Sequence, residues 1–464
     1  MPKTTAILTL FLLVRISLYG QVFDVQTLQD NGSTDKRINF VYMGDGYTAS
    51  QQDIFLNDAQ NAMNAQFNTT PYKEYHNFFN VFAIKVISNE EGVDHPGTAT
   101  DVTEPVFPVG TADTYFDSTF DYYNIHRLLV PTDYTAIYDV LSANTPFYDQ
   151  ANIIVNTPYY GGSGGDFATA STNTQASQIM IHEIGHSFVS LADEYWAGSD
   201  YAAEKANMTQ ESDPAFIKWK NWLDDEDIGI YPYGSSGDPS QWYRPHQSCI
   251  MRQLGNPFCA VCREATINRI YELVNPIDAH SPENSSVDFD GTDLDFSVDL
   301  IYPEPNTLTI EWMLDGNSIN TTDTQITLTN TDLGSDPHQL SVVIEDTTGL
   351  SRSYLPANGY VFSFTWNINN YLPSGENTLD KLVYQIYPNP AHSTLNLSYT
   401  SENIQGDYTL SITDMQGKLI TAKKWVPQYG KHLETININN LETGIYILSI
   451  KSSHYSKRFH FIKE

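Results

Sequence analysis

The segment His182-Glu183-Ile184-Gly185-His186 constrains this chain more than any other part of it. Histidines four residues apart stand one above the other on a single helical face, where two imidazoles can chelate one ion. Ile179, Met180, Phe188 and Leu191 supply the apolar residues of a helix that packs into a core. Glu183 directly follows the first histidine, and in this pattern it can reach a metal-bound water and take its proton. The spacing therefore predicts one catalytic zinc ion, with His182 and His186 as ligands and Glu183 as the general base.

Zinc that does chemistry needs a third protein ligand and an open position. Asp193 lies seven residues beyond His186. On an unbroken helix that is about 10 Å along the axis, too far for a short side chain. Asp193 can serve only if the helix ends near Ser190 and the chain folds back. Glu194 competes with it, and Glu204 or Glu211 on a later segment are further candidates.

The 464 residues leave room for about three domains. With 56 acidic against 24 basic residues and a formal net charge of −32, the chain lacks the basic footprint that nucleic acid requires. The acidity reads as a solubilising surface. Calcium is a second candidate ion, but no loop of calcium-binding spacing supports it. Residues 1–20 read as a signal peptide, with Lys3 before a short apolar run and cleavage after Gly20. That run is too short to anchor in a bilayer, and no later stretch reaches about 18 apolar residues, so no membrane span is expected in the mature chain.

Export implies an oxidising compartment, which bears on the three cysteines, Cys249, Cys259 and Cys262. The default expectation is a disulfide from Cys249 to Cys259 or Cys262, leaving one free thiol. The alternative is a structural zinc held by the three cysteines and His246.

Residues 21–275 mix strands, such as Arg37–Met43, Phe78–Ser88 and Ala151–Asn156, with helices, such as Ser50–Met63. This predicts an α/β domain. The run Gly161–Gly165 lacks the residues of a phosphate loop and reads as a turn. Residues 276–375 alternate in short segments, such as Leu308–Trp312 and Leu340–Ile344, which predicts an Ig-like β-sandwich. Residues 381–464 hold 9 basic and 6 acidic residues, leaving 15 basic and 50 acidic before them. That break in charge marks residues 376–464 as a separate module. Its strands read as Thr394–Tyr399, Tyr408–Thr413, Lys418–Thr421 and Ile445–Ile450, with a hairpin turn at Asp414–Gly417.

His182-Glu183-x-Gly185-His186-Ser187-Phe188, followed by Leu191-Ala192-Asp193-Glu194-Tyr195, resembles the igalysins, the IgA-peptidase family of metzincin zinc peptidases. Val41-Tyr42-Met43-Gly44-Asp45-Gly46-Tyr47-Thr48, Tyr159-Tyr160-Gly161-Gly162-Ser163-Gly164, Tyr243-Arg244-Pro245 and Cys249-Ile250-Met251-Arg252 extend the likeness over about residues 25–275. The resemblance implies a metzincin-like fold and a zinc metalloendopeptidase acting on a protein or peptide substrate. It implies that His182, His186 and Asp193 bind the zinc, that Glu183 is the base and that Met251 forms the methionine turn beneath the metal. Val189 and Ala192 stand where many metzincins have glycine and histidine, and Ser190 where relatives tend to have glycine. Tyr243 is a candidate for supporting the oxyanion.

The tail resembles the sorting domain of bacterial type IX secretion in Tyr387-Pro388-Asn389-Pro390, Asp414-Met415-Gln416-Gly417-Lys418, Leu441-Glu442-Thr443-Gly444-Ile445-Tyr446 and Lys457-Arg458. This implies the secretion machinery as a partner and a secreted or cell-surface location. The alternative function is a non-catalytic secreted adhesin that keeps a zinc-stabilised, peptidase-like domain.

Overall fold

The computed structural model describes residues 21–464 apart from 335, 353–359, 371–383, 402–407, 427–429 and 452–455. The signal peptide expected at residues 1–20 lies outside the described residues. No helix among the described residues is long and apolar enough to cross a membrane. The chain divides into two compact units, one of Met1–Ser285, Asp295–Ile326 and Gln339–Trp366, the other of Ser286–Leu294, Thr327–His338 and Asn367–Glu464.

Six strands build the sheet of the first unit: β1 (Val25–Gln29), β2 (Ile38–Asp45), β3 (Phe79–Ile84), β4 (Gln150–Val155), β5 (Gly162–Ser163) and β6 (Ala168–Ser171). Their order is β1-β3-β2-β4-β6-β5. The four central strands are parallel, and β1 and β5 close the edges antiparallel. A parallel sheet is buried on both faces, and β2 is buried along its whole length. Its side chains alternate as the pleat dictates. Ile38, Phe40 and Tyr42 enter one core, and Val41 and Met43 the other. The first core is covered by helices α1 (Gln52–Gln66), α3 (Ala176–Ser187) and α4 (Ala260–Leu273), the second by α2 (Tyr134–Asn144).

The chain enters α1 through a turn at Ala49–Gln51, where Gln51 Oε1 accepts from the Thr48 backbone N at 3.0 Å. The N-terminal signal is therefore Thr48 rather than Ser50. The glycine run also departs from the reading as a turn, because Gly162–Ser163 is a strand, paired with Thr169–Ala170 of β6.

A long loop joins β3 to α2, and Asp45 at the end of β2 anchors it. The buried Asp45 carboxylate accepts from Phe116 N (3.0 Å), Ser118 N (3.2 Å), Thr114 Oγ1 (3.0 Å) and Ser88 Oγ (3.3 Å). Gly46 beside it has φ +72°, and a Cβ there would stand 2.0 Å from Gly92 O. This is why the turn after β2 needs glycine. Further along the loop, His126 Nδ1 lies 2.8 Å from Glu104 Oε1, in a cluster completed by His95 and Asp121. Leu128 then bridges to Gly162 of β5, so the loop ends against the sheet edge.

The antiparallel strands Ile277–Ser281 with Leu294–Leu300, and Leu308–Leu314 with His338–Asp346, follow α4. Trp312 and Trp366 stack among them with ring centroids 5.8 Å apart. This β region is fixed to the helical part of the first unit. Asp346 accepts from Tyr75 Oη (2.5 Å), Tyr271 Oη (2.7 Å) and Thr307 Oγ1 (2.5 Å). Arg37 forms a two-pronged ion pair with Asp278 at 2.9 and 3.0 Å.

In the second unit a three-stranded sheet (Tyr384–Tyr387, Thr394–Ser401, Gly430–Asn437) and a four-stranded sheet (Tyr408–Asp414, Leu419–Trp425, Gly444–Lys451, Ser456–Lys463) share one core. Leu395 and Leu397 meet Leu410, Ile412 and Leu448 there. The Asp414–Gly417 hairpin turn forms as expected, with Gly417 at φ +80°.

Removing the Asp45 carboxylate leaves two buried amides and two hydroxyls without an acceptor, at about 1–3 kcal/mol for each buried group left unpaired. Asp45→Ala should lower unfolding stability in urea by roughly 3 kcal/mol or more. A loss below about 0.5 kcal/mol, the scale of a neutral surface change, would contradict the anchoring role.

Candidate metal centre

Helix α3 buries Ile179, Met180, Ile181 and Ile184 and turns His182, Glu183 and His186 toward a cleft of about 1410 Å³. His182 Nε2 and His186 Nε2 are 3.1 Å apart. Asp193 Oδ1 lies 3.1 Å from the first and 3.3 Å from the second.

The other ring nitrogens decide what these contacts mean. His182 Nδ1 is 3.0 Å from Ile250 O, and His186 Nδ1 is 2.8 Å from Leu191 O. A carbonyl only accepts, so each Nδ1 carries the proton, and each neutral ring points an Nε2 lone pair at the same spot. Asp193 Oδ1 adds a third acceptor, buried and without a hydrogen-bond donor. With both rings neutral, three mutually repelling acceptors converge, and a cation reconciles them: a metal ion or, without one, a proton on the rings. Their separations also match the roughly 3.3 Å between nitrogen or oxygen ligands on a tetrahedral ion with bonds of about 2.0–2.1 Å. His182, His186 and Asp193 thus fit a metal by number, chemistry and spacing.

Asp193 reaches this point because the helix stops. Ser190 takes φ +61°, its N–H donates to His186 O at 3.0 Å, and Leu191 N donates to Gly185 O at 2.9 Å. This is a left-handed helix cap, which usually favours glycine. Asn207 then clamps both backbone groups of Ala192 at 2.8 Å, and Tyr233 Oη donates to Asp193 O at 2.7 Å. Glu194 N donates to Met251 O at 2.7 Å. Glu194 points into the core and Glu204 pairs with Lys218. Among the candidates weighed for a third ligand, the aspartate is the one placed beside both histidines.

Met251 is fully buried beneath α3. A Cβ on Gly185 would stand 2.7 Å from its Sδ, so the helix approaches the methionine only because residue 185 has no side chain. Gly164 follows the same rule on the cleft side, where a Cβ would lie 2.7 Å from His186 Cβ and 3.0 Å from Glu183 Oε2.

Burial alone would raise Asp193, yet the two imidazoles hold its carboxyl well below the usual carboxylate range. Burial opposes charging His186, but Asp193 and Glu183 outweigh it and push the ring up to about 9. Burial pushes Glu183 above its ordinary value, against the pull of both histidines and Arg127.

Arg127 and Tyr195 line the cleft, with the guanidinium 5.7 Å from the tyrosine ring centre. Neither stands out in the sequence as a site residue. For Arg127 no local motif exists, whereas Tyr195 directly follows Asp193-Glu194. Tyr243 does not line the cleft. Its backbone pairs with Thr209 instead.

The cysteines correct the expected disulfide. Cys249, Cys259 and Cys262 are buried free thiols. The Cys249 and Cys262 sulfurs are 3.7 Å apart, against about 2.05 Å in a disulfide. The Glu194 carboxylate reaches into the group, 3.2 Å from Cys262 Sγ. His246 is not in this cluster, and its Nδ1 accepts from Ser248 N at 2.9 Å.

Residues 26–236 match the family model IgA Peptidase M64, and residues 385–464 match that of the secretion system C-terminal sorting domain. Residues 26–236 are thus similar to the IgA peptidase M64 family, and the tail directs export by type IX secretion, giving a secreted or cell-surface protein. No curated protein matches the chain.

Solved structures give only slight likenesses. Bacteroides ovatus SGBP-B, solved with a mixed-linkage heptasaccharide, is 14% identical over 39% of this chain and 42% of that one, with a TM-score of 0.15. Latent PorU from Porphyromonas gingivalis is 13% identical over 39% of this chain and 19% of that one, also at 0.15. A Parabacteroides merdae β-glucuronidase is 9% identical over 49% and 28%, at 0.18. The chain thus spans less than half the length of each of these three.

A His186 pKa raised from 6.5 to about 9 adds stability that is complete below pH 6.5 and lost as pH rises through 9. The melting temperature of metal-free protein should therefore fall more steeply over that window than that of metal-free His186→Ala. Parallel profiles would contradict the pairing. Ser190→Gly should raise stability by up to about 1 kcal/mol, since a side chain in the left-handed region costs about 1–2 kcal/mol and glycine returns part of that as chain entropy. A destabilised Ser190→Gly variant would contradict the strained cap.

Proposed function

We propose that this protein is a secreted zinc metalloendopeptidase of metzincin type. The reading rests on one observation, the convergence of His182 Nε2, His186 Nε2 and Asp193 Oδ1 with both Nδ1 protons committed to backbone carbonyls. Nitrogen and carboxylate donors in a three-ligand set suit zinc. Zinc bound there supplies positive charge that acidifies a water and polarises the scissile carbonyl.

The residues of the chain do the rest. Glu183 adjoins His182 and borders the cleft, so it is the base that takes the proton of the attacking water and returns it to the leaving amine. Its raised pKa suits both halves of that transfer. Arg127, a cation in the cleft wall, is placed to favour charge developing on a substrate oxygen. Met251, packed under Gly185 of α3, is the methionine turn. The cleft exceeds the roughly 300–1,000 Å³ of small-molecule sites, which favours an extended peptide over a small amide.

In this reading residues 1–20 are a signal peptide, 21–275 the catalytic domain, 276–375 an Ig-like sandwich fixed to it, and 376–464 the sorting domain. A non-catalytic adhesin with a structural zinc would have no use for a base at Glu183.

Glu183→Gln in the full chain should keep its zinc and lose casein cleavage by about 10²–10⁴-fold, the usual contribution of a positioned base. Unchanged cleavage would contradict the mechanism. Zinc retained with no cleavage by either form, on casein or a broad peptide panel, would favour the adhesin.

A further inference from the structure

We propose a second, structural metal site formed by Glu194, Cys249, Cys259 and Cys262, of the class that takes zinc. The four side chains come from three separate segments. Glu194 follows Asp193, Cys249 precedes the methionine turn, and Cys259 and Cys262 open α4. One donor atom from each lies within 4.8 Å of all the others, and all four residues are buried.

The spacing selects a metal over the two other fates of such a cluster. Two thiolates on tetrahedral zinc, with Zn–S bonds of about 2.3 Å, stand about 3.8 Å apart. Cys249 and Cys262 stand at 3.7 Å. Glu194 Oε1 lies 3.2 Å from Cys262 Sγ and 3.7 Å from Cys259 Sγ, which closes a fourth corner. A disulfide would consume two sulfurs and leave a thiol and a carboxylate buried together. A dry, empty cluster would leave Glu194 Oε1 with weak thiol donors and one amide, Asn207 Nδ2 at 3.3 Å, and Glu194 Oε2 fully buried and unpartnered. Burying an unpaired carboxylate is costly enough that, without a cation, Glu194 holds a proton. A divalent cation removes that cost and releases the carboxyl and thiol protons to solvent as it binds.

Two local features support thiolate ligands. Cys259 N donates to Cys249 Sγ at 3.4 Å. Cys259 is also the N-cap residue of α4, where the helix dipole favours negative charge. The metal would tie together the start of α4, the segment carrying Met251 and the residue after Asp193. It would brace the floor of the cleft without touching a substrate. An odd number of cysteines in an exported chain then needs no leftover thiol.

Cobalt(II) serves as the probe, because cobalt on thiolates gives a near-ultraviolet charge-transfer band and cobalt on histidine and carboxylate does not. The full chain, stripped of metal and loaded with cobalt, should show this band. The band should persist in His182→Ala and disappear in Cys262→Ser. If Cys262→Ser does not fold, Glu194→Gln keeps every sulfur and should bind the band-forming cobalt at least tenfold more weakly. Absence of the band in the native chain, or a disulfide between any two of the three cysteines in non-reducing peptide maps of the secreted protein, would overturn the site. Unchanged cobalt affinity in Glu194→Gln would overturn the fourth ligand.

Discussion

Two hydrogen bonds from imidazole to backbone hold the centre of this protein together. Ile250 O takes the Nδ1 proton of His182, and Leu191 O takes that of His186. Each bond fixes a tautomer, and each ties the helix to a different segment. Ile250 belongs to the stretch carrying Met251, and Leu191 to the turn that delivers Asp193. The orientation of the rings, the position of the third acceptor and the floor of the cleft are therefore one arrangement. Outer partners of this kind orient a metal's ligands and raise their basicity.

Close packing makes that arrangement attainable. Gly185 lets α3 settle onto Met251, and Gly164 lets the sheet edge lie against His186 and Glu183. On the far side, Asp45 pins the loop that carries Arg127 to the cleft, and Leu128 ties it to β5. Each contact carries a sequence feature into the geometry of the cleft. The β region fixed at Asp346 and Asp278 belongs to the same compact unit as the sheet and helices that carry the cleft.

The sequence made α3 legible because its chemistry and its packing share one helical period. His182, Glu183 and His186 follow from spacing alone. Asp193 needed the chain to reverse at Ser190, and a serine gives no sign of a left-handed cap. The strand Gly162–Ser163 was hidden for a related reason. Its glycines answer to a neighbouring helix rather than to any turn, and close approach leaves no pattern in a linear sequence. The cysteines invited a disulfide because Glu194, some 55 residues before the first of them, could not be seen to join them. Arg127 entered the cleft from a loop without periodicity. Tyr243, suggested by its place in a family motif, is used in backbone pairing instead.

The most direct measurement is a crystal structure of the zinc-loaded full chain with anomalous data collected at the zinc edge. The account predicts a peak bonded to His182 Nε2, His186 Nε2 and Asp193 Oδ1, with both Nδ1 atoms still held by Ile250 O and Leu191 O. No peak at that point, or a peak bonded through Nδ1 or to a carboxylate other than Asp193, would contradict it.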